Sequence, residues 1–151
     1  MTDIHSLTEF QKTMIFSLFW GSIWTVAFYG HARLTGWHHL AQFYKAHQKP
    51  DHFSLRFKTI LLRFRLSYEF ATALQATETG FYLAVFFLFR PGHPCLFIPW
   101  NEITIHSTEE LSVLKYIVIT TKKAPQIRIR IPKRTYEKMV ENLSIPLFKS
   151  V

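Results

Sequence analysis

The 151-residue chain has little of what most enzyme signatures require. Its single cysteine, Cys95, excludes an intrachain disulfide and agrees with a reducing compartment. Its five glycines form neither a phosphate-cradling loop nor a Gly-x-Ser-x-Gly elbow. No pair of carboxylates stands out, and no ligand pairs have zinc-like spacing. We therefore predict no catalytic residue, no cofactor and no metal, in a protein that is not an enzyme.

The eight histidines still raise the question of a metal site. His38 and His39 are adjacent, so on a helix they would point about 100° apart and would not easily share one ion. His93 lies two residues before Cys95, which keeps a metal-dependent or Cys-dependent enzyme open as an alternative. Because His93 is the only nearby base and Pro94 restrains both side chains, packing of Cys95 in a sheet is the favoured interpretation.

Acidic residues are scarce, with 10 Asp and Glu against 18 Lys and Arg and a formal charge of +8. This excess favours an anionic partner, which would be nucleic acid, an acidic protein or membrane headgroups. The alternative is an ordinary solvated face. Two strands and their ends carry the predicted basic face, which consists of Arg56, Lys58, Arg63, Arg65, Lys122, Lys123, Arg128, Arg130, Lys133 and Arg134.

Residues 14–30 carry no charge over 17 positions. As a helix at about 1.5 Å per residue they would extend roughly 26 Å, close to the hydrocarbon thickness of a bilayer. We predict a single transmembrane anchor that includes Met14, Phe19, Trp20, Trp24, Phe28 and Tyr29. A buried core helix is the alternative, and a cleaved signal peptide fits poorly because a basic n-region and a small-residue cleavage site are missing. Arg33, Lys45 and Lys49 follow the segment, so the C-terminal part is expected in the cytoplasm.

A short amphipathic helix is predicted after the anchor, with Thr35 as its N-cap and with Trp37 and Tyr44 at headgroup level. Beyond Pro50 the pattern is typical of antiparallel strands. Residues 85–89 contain no polar side chain and predict a central strand, which turns at 90–94 so that 95–98 pairs with 83–88. Arg90 and His93 at this turn are candidates for lining a small ligand or peptide pocket. The other predicted elements are strands 62–66, 72–77, 103–106, 115–121 and 127–131, a loop at 107–110 and a helix at 133–143.

Four sequence pieces carry a resemblance to a known group of proteins. They are Gly36-Trp37 with Leu40-Ala41 and Tyr44, then Gly-Phe-Tyr-Leu at 80–83, Phe-Arg-Pro-Gly-His-Pro at 89–94 and Phe-Ile-Pro-Trp at 97–100. In this order they resemble small uncharacterised bacterial membrane proteins with one N-terminal span. The succession of strands and a final helix is similar to a pleckstrin-homology-like (PH-like) or GRAM-like domain. Phe81 and Cys95 stand where leucine and proline were expected. The resemblance implies a fold and an anchor, and it implies no established activity.

These observations predict a mainly β, α+β protein of three parts. Residues 1–34 form a tail and a transmembrane helix, 35–50 a juxtamembrane helix and linker, and 51–151 a PH-like antiparallel β-sandwich or barrel of six or seven strands capped by a C-terminal helix. The expected location is the bacterial inner membrane. The expected role is non-enzymatic contact with anionic lipid headgroups or a membrane-associated protein, without nucleic acid. A soluble nucleic-acid-binding domain with 14–30 as a core helix is the alternative.

Overall fold

The computed structural model describes residues 8–63, 67–111, 113–141 and 143. Over these residues the chain forms three α-helices and seven strands. In chain order they are α1 (Glu9–Thr35), α2 (Trp37–Tyr44), β1 (Leu55–Leu61), β2 (Ser67–Ala76), β3 (Gly80–Val85), β4 (Leu96–Pro99), β5 (Ile103–Leu111), β6 (Leu114–Thr121), β7 (Ala124–Pro132) and α3 (Lys133–Val140). The protein is therefore mixed α and β, with strands predominating.

Helix α1 has defined signals at both ends. Thr8 and Gln11 form a capping box at its start, and Gly36 ends it with a left-handed φ of 87°. Only Ala32 and Thr35 of α1 are buried. A core helix would be covered on most sides, so the exposure of the apolar stretch argues against the alternative of a soluble domain with a core helix at 14–30.

The described strands form one antiparallel sheet in the order β4-β3-β2-β1-β7-β6-β5. It combines two meanders, β1 to β4 and β5 to β7, which meet where Leu61 of β1 pairs with Arg130 of β7. At the outer edge of β4, Lys45 forms a bridge with Leu96, and the Ala46 N–H donates to the Cys95 carbonyl over 2.9 Å. This contact covers part of one exposed edge.

Helices α2 and α3 share one hydrophobic core with the sheet. Trp37 and Leu40 of α2 are fully buried, and Tyr136 and Met139 of α3 are nearly so. They join buried sheet residues such as Leu83 and many others in a single cluster. Trp37 and Tyr44 are therefore core residues, and their predicted place at headgroup level is wrong. Thr35 is also not an N-cap, because it lies inside the last turn of α1 and its hydroxyl is 2.9 Å from the His31 carbonyl.

The hairpin, β6, β7 and a C-terminal helix are confirmed, but the expected course of 85–89 is wrong. Strand β3 ends at Val85, and Phe87–Phe89 forms a 3₁₀ turn that leaves the sheet. Strand β4 consequently pairs with Gly80–Leu83 and forms an edge of the sheet. The aromatic run departs because it packs on α1, where the Phe89 ring lies 5.1 Å from the Phe28 ring.

The predicted loop at 107–110 is also wrong, because β5 continues to Leu111 and pairs with β6 throughout. Glu109 is held in this strand by Arg130, whose Nε lies 2.7 Å from the Glu109 carboxylate. Two further strand predictions were too short, since β2 begins at Ser67 and β5 extends beyond His106. Strand prediction 62–66 falls largely on residues outside those described.

Candidate functional site

The candidate site lies where the β3–β4 hairpin meets α1. The Trp24 indole N–H donates to the Leu88 carbonyl over 3.2 Å, and the Trp24 and Phe89 rings stack at 6.2 Å. Phe28 packs on the same Phe89 ring. The hairpin tip therefore contacts α1 within the uncharged stretch 14–30.

The predicted anchor residues form an exposed apolar surface on α1. Met14, Phe19, Trp20, Trp24 and Tyr29 are each between 48% and 60% exposed, and Phe28 is half-buried by the hairpin. The Ser22 and Thr25 hydroxyls donate to the Leu18 and Gly21 carbonyls, each over 2.8 Å. Polar groups satisfied within their own helix suit an apolar environment. Helix α1 is long and apolar enough to cross a membrane.

Four apolar side chains extend this surface onto the sheet domain. We call Phe57, Phe86, Phe87 and Leu88 the foot. Phe57, Phe87 and Leu88 are 58%, 61% and 51% exposed. The Phe86 ring lies 5.7 Å from the Phe57 ring and 4.6 Å from the Phe87 ring. Three of these four neighbouring side chains are thus more than half exposed.

Phe57 owes its exposure to an irregularity in β1. Its φ of 54° makes it a non-glycine residue in the left-handed region, and the β1–β2 register shifts on both sides of Lys58. A bulge of this kind redirects the side chains of a strand. Arg56 and Phe57 are consequently both exposed, although neighbouring residues of a regular strand point to opposite faces.

A groove of about 230 Å³ lies beside the foot, on strands β1 to β3. Phe53, Phe57, Phe86 and Phe87 contribute aromatic walls, and Arg56 and Arg90 contribute the only charges among the described lining residues. Neither arginine forms an ion pair with a residue in the described ranges. The structure thus brings together one cation predicted for the basic face and one predicted for the hairpin tip.

The other predicted basic residues do not gather with them. Arg130 is only 7% exposed and, with Arg128, faces the Glu109 carboxylate at 2.7 and 3.8 Å. The Lys123 amine lies 3.9 Å from Glu102. Lys133 and Arg134 line a separate depression with Lys115, and Lys122 is exposed on the β6–β7 turn. Lys58 is half-buried, Arg63 is exposed, and Arg65 lies outside the described residues. The predicted face is therefore partly neutralised within the protein.

His93, predicted as a ligand-lining residue at the turn, is 1% exposed. Its Nδ1 lies 2.9 Å from the Pro91 carbonyl, which only accepts, so Nδ1 carries the proton of the neutral ring. Its Nε2 therefore accepts from the Tyr68 hydroxyl at 2.8 Å, and Tyr68 is 2.6 Å from the Thr35 hydroxyl. Burial lowers the pKa of His93 and raises that of Tyr68. This chain of contacts, which we call the latch, fastens the end of α1 to β2 and the hairpin.

Cys95 and the described histidines are the remaining candidates for thiol or metal chemistry. Cys95 is a buried free thiol whose pKa is raised by burial, which disfavours a reactive thiolate. In the described part of the chain, no group of three or more His, Cys, Asp or Glu side chains is arranged to hold a metal ion.

Sequence reasoning missed Phe57, Tyr68 and the aromatic residues of the hairpin as parts of the site. One signal was present in the sequence, because Lys58 and Ile60 are two positions apart in one strand and should face the same side, yet one is a cation and the other is a large apolar residue. Such a break in alternation indicates a bulge.

No family model, curated protein or solved structure matches this chain.

Proposed function

We propose that the protein is a non-enzymatic recognition module anchored in a membrane by α1. The sheet domain rests on the bilayer surface through the foot and contacts anionic lipid headgroups. The order of the two meanders and the final helix supports a PH-like domain, as the sequence resemblance implies. By the positive-inside tendency the domain faces the cytoplasm of a bacterial cell, since Arg33, Lys45 and Lys49 follow the uncharged stretch 14–30, while only Lys12 closely precedes it.

The contact between the hairpin tip and α1 carries this proposal. Trp24 lies six positions before Gly30, the last residue of the uncharged stretch, which is about 9 Å at about 1.5 Å per residue. In a bilayer-spanning α1, the Leu88 backbone bonded to Trp24 therefore lies below the membrane surface. Phe87 and Leu88 would each contribute roughly 1 kcal/mol by burying their exposed halves in lipid.

Depth-dependent quenching tests this arrangement. In a Cys95→Ala background, single cysteines replace Leu88 in the foot or Val113 at the β5–β6 turn, and each carries an environment-sensitive fluorophore. Val113 is a matched control because it is also apolar and 93% exposed. The full chain is reconstituted in liposomes that contain lipids spin-labelled near the headgroup.

We expect strong quenching and a blue-shifted emission at position 88, with weak quenching at 113. Equal, water-like emission at both positions would refute the docked foot. Extraction of the full chain from liposomes by alkaline carbonate would refute the anchor itself.

A further inference from the structure

We propose that the groove beside the foot binds one anionic phospholipid, with its phosphate between Arg56 and Arg90 and the start of an acyl chain along the aromatic wall. This inference rests on the proposed function, since the lipid would enter from the bilayer in which the foot is seated. It goes further by naming a single binding site and its ligand class.

The floor of the groove is shaped for an added apolar group. Ala73 of β2 and Ala84 of β3 lie directly opposite each other in the sheet, and both line the groove. Two small side chains at a cross-strand pair leave a hollow that larger residues would fill. Phe57, Phe86 and Phe87 rise beside it and belong also to the foot, so an acyl chain leaving the groove continues along a lipid-facing surface.

The charged residues that line the groove suit a phosphate. Arg56 and Arg90 present planar guanidinium groups, which bind phosphate oxygens through paired N–H donors. No acidic side chain is found among the described residues that line the groove, so an incoming anion meets no like charge there. Elsewhere on the domain, Arg128, Arg130 and Lys123 already face carboxylates.

The backbone at Phe57 supports a functional assignment. A bulky side chain with a φ of 54° is strained, and such residues persist where the surrounding structure compensates for them, often at binding sites. Here the irregular stretch exposes Arg56 and Phe57 together, and both line the groove, one with a charged and one with an aromatic side chain.

The position of the groove favours lipid over an extended peptide. The groove lies on the face of β1, β2 and β3, where Ala73 and Ala84 are a cross-strand pair. A peptide that adds a strand pairs with the edge of a sheet and not with its face. Lipid is favoured because the groove is continuous with the foot and bears two cations that form no ion pair with any described residue.

Lipid selectivity in nanodiscs tests the site. The full chain is reconstituted in phosphatidylcholine nanodiscs that contain a trace of spin-labelled phosphatidylglycerol or spin-labelled phosphatidylcholine, and the motionally restricted fraction is measured by electron paramagnetic resonance. The double variant Arg56→Gln/Arg90→Gln removes the two cations of the groove. The control, Lys122→Gln/Arg134→Gln, also removes two positive charges, but from exposed positions outside the groove. Ala73→Leu fills the hollow and keeps both arginines.

We expect wild type to prefer phosphatidylglycerol, and the groove variant to lose roughly 10- to 30-fold in relative affinity, at about one decade or less per cation. The control variant should keep the preference, Ala73→Leu should lose it, and 10 mM inorganic phosphate should not displace the lipid. Equal losses of lipid preference in both double variants, or an unchanged preference in Ala73→Leu, would refute the lipid site in the groove. Neither result would contradict the proposed membrane-anchored module.

Two further results would also overturn the assignment. Displacement of the lipid by inorganic phosphate would mean that the site recognises a free anion. Absence of any lipid preference in wild type would point to a protein as the ligand of the groove. Failure of every variant to remain in the bilayer would instead refute the proposed function, so the two failures are distinguishable.

Discussion

Removal of one hydroxyl group tests whether the latch holds the anchor and the sheet domain together. In Tyr68→Phe the ring remains, and it keeps its packing against Trp37 at 5.3 Å and His31 at 4.9 Å. What disappears is the oxygen that lies 2.6 Å from the Thr35 hydroxyl and 2.8 Å from His93 Nε2. The change therefore isolates the hydrogen bonds from the packing.

The two partners respond differently to this loss. The Thr35 hydroxyl still has the His31 carbonyl at 2.9 Å as an acceptor. His93 Nε2 loses the hydroxyl that donates to it and stays buried, since the ring is 1% exposed. An unsatisfied buried acceptor costs about 1–3 kcal/mol, so we expect Tyr68→Phe to lower the free energy of unfolding by about 2 kcal/mol.

Thermal unfolding of the full chain in a mild detergent measures this effect. For a domain of this size, about 2 kcal/mol corresponds to a fall in Tm of roughly 8 °C. Tyr82→Phe is the matched control, because the half-buried Tyr82 packs on Phe97 at 4.7 Å and its hydroxyl is not part of the latch. A Tm for Tyr68→Phe within 2 °C of the control would show that the latch does not stabilise the fold.

Two other substitutions test the latch and the hairpin. Burial holds the pKa of His93 in the folded protein below 6.5, so the unfolded chain takes up the extra proton at a higher pH than the folded protein does. Stability therefore falls as pH drops below 6.5, by up to about 1.4 kcal/mol per pH unit. His93→Gln should flatten the dependence of Tm on pH between pH 7 and 5.5, and an unchanged slope would assign that dependence to other groups. Gly80→Ala would place a methyl 2.5 Å from the Ile98 carbonyl oxygen, so we expect a loss of about 1–3 kcal/mol in stability. Gly21→Ala is the control, because a methyl there meets no atom within 4 Å and alanine favours a helix, so Tm should not fall.

Hydrophobic periodicity correctly predicted the helices and strands whose burial follows the alternation of apolar and polar residues along the chain. Ile127, Ile129 and Ile131 alternate with polar residues, and all three are buried in β7. The uncharged stretch 14–30 forms part of α1 as predicted, because a long apolar run favours a helix without help from distant residues. The C-terminal helix also followed from its spacing, although it ends at Val140.

Long-range contacts determine the features that the local sequence patterns did not predict. An apolar run such as 85–89 has the same composition whether it is covered by strands or by a neighbouring helix, and here α1 covers it. Trp37 likewise looks suited to a membrane interface, but its indole N–H finds the Pro94 carbonyl at 3.0 Å inside the core. Arg56 and Arg90 line the same groove because of the register of β1, β2 and β3, and the spacing of residues along the chain does not reveal that register.

In the proposed anchored protein, the join between α1 and the sheet domain would determine which cations lie near the membrane. No flexible linker separates them, because Gly36 alone connects α1 to the buried α2, and a Cβ at Gly36 would lie 2.7 Å from Ile127 of β7. The latch and the Trp24–Leu88 bond add two more attachments. If α1 spans a membrane as proposed, a domain held this firmly would present one fixed side to the bilayer, and electrostatic attraction decays within a Debye length of about 8–10 Å. Arg56 and Arg90 share their groove with the foot, so they would remain within that range, and cations on other faces of the sheet would contribute little whatever their number.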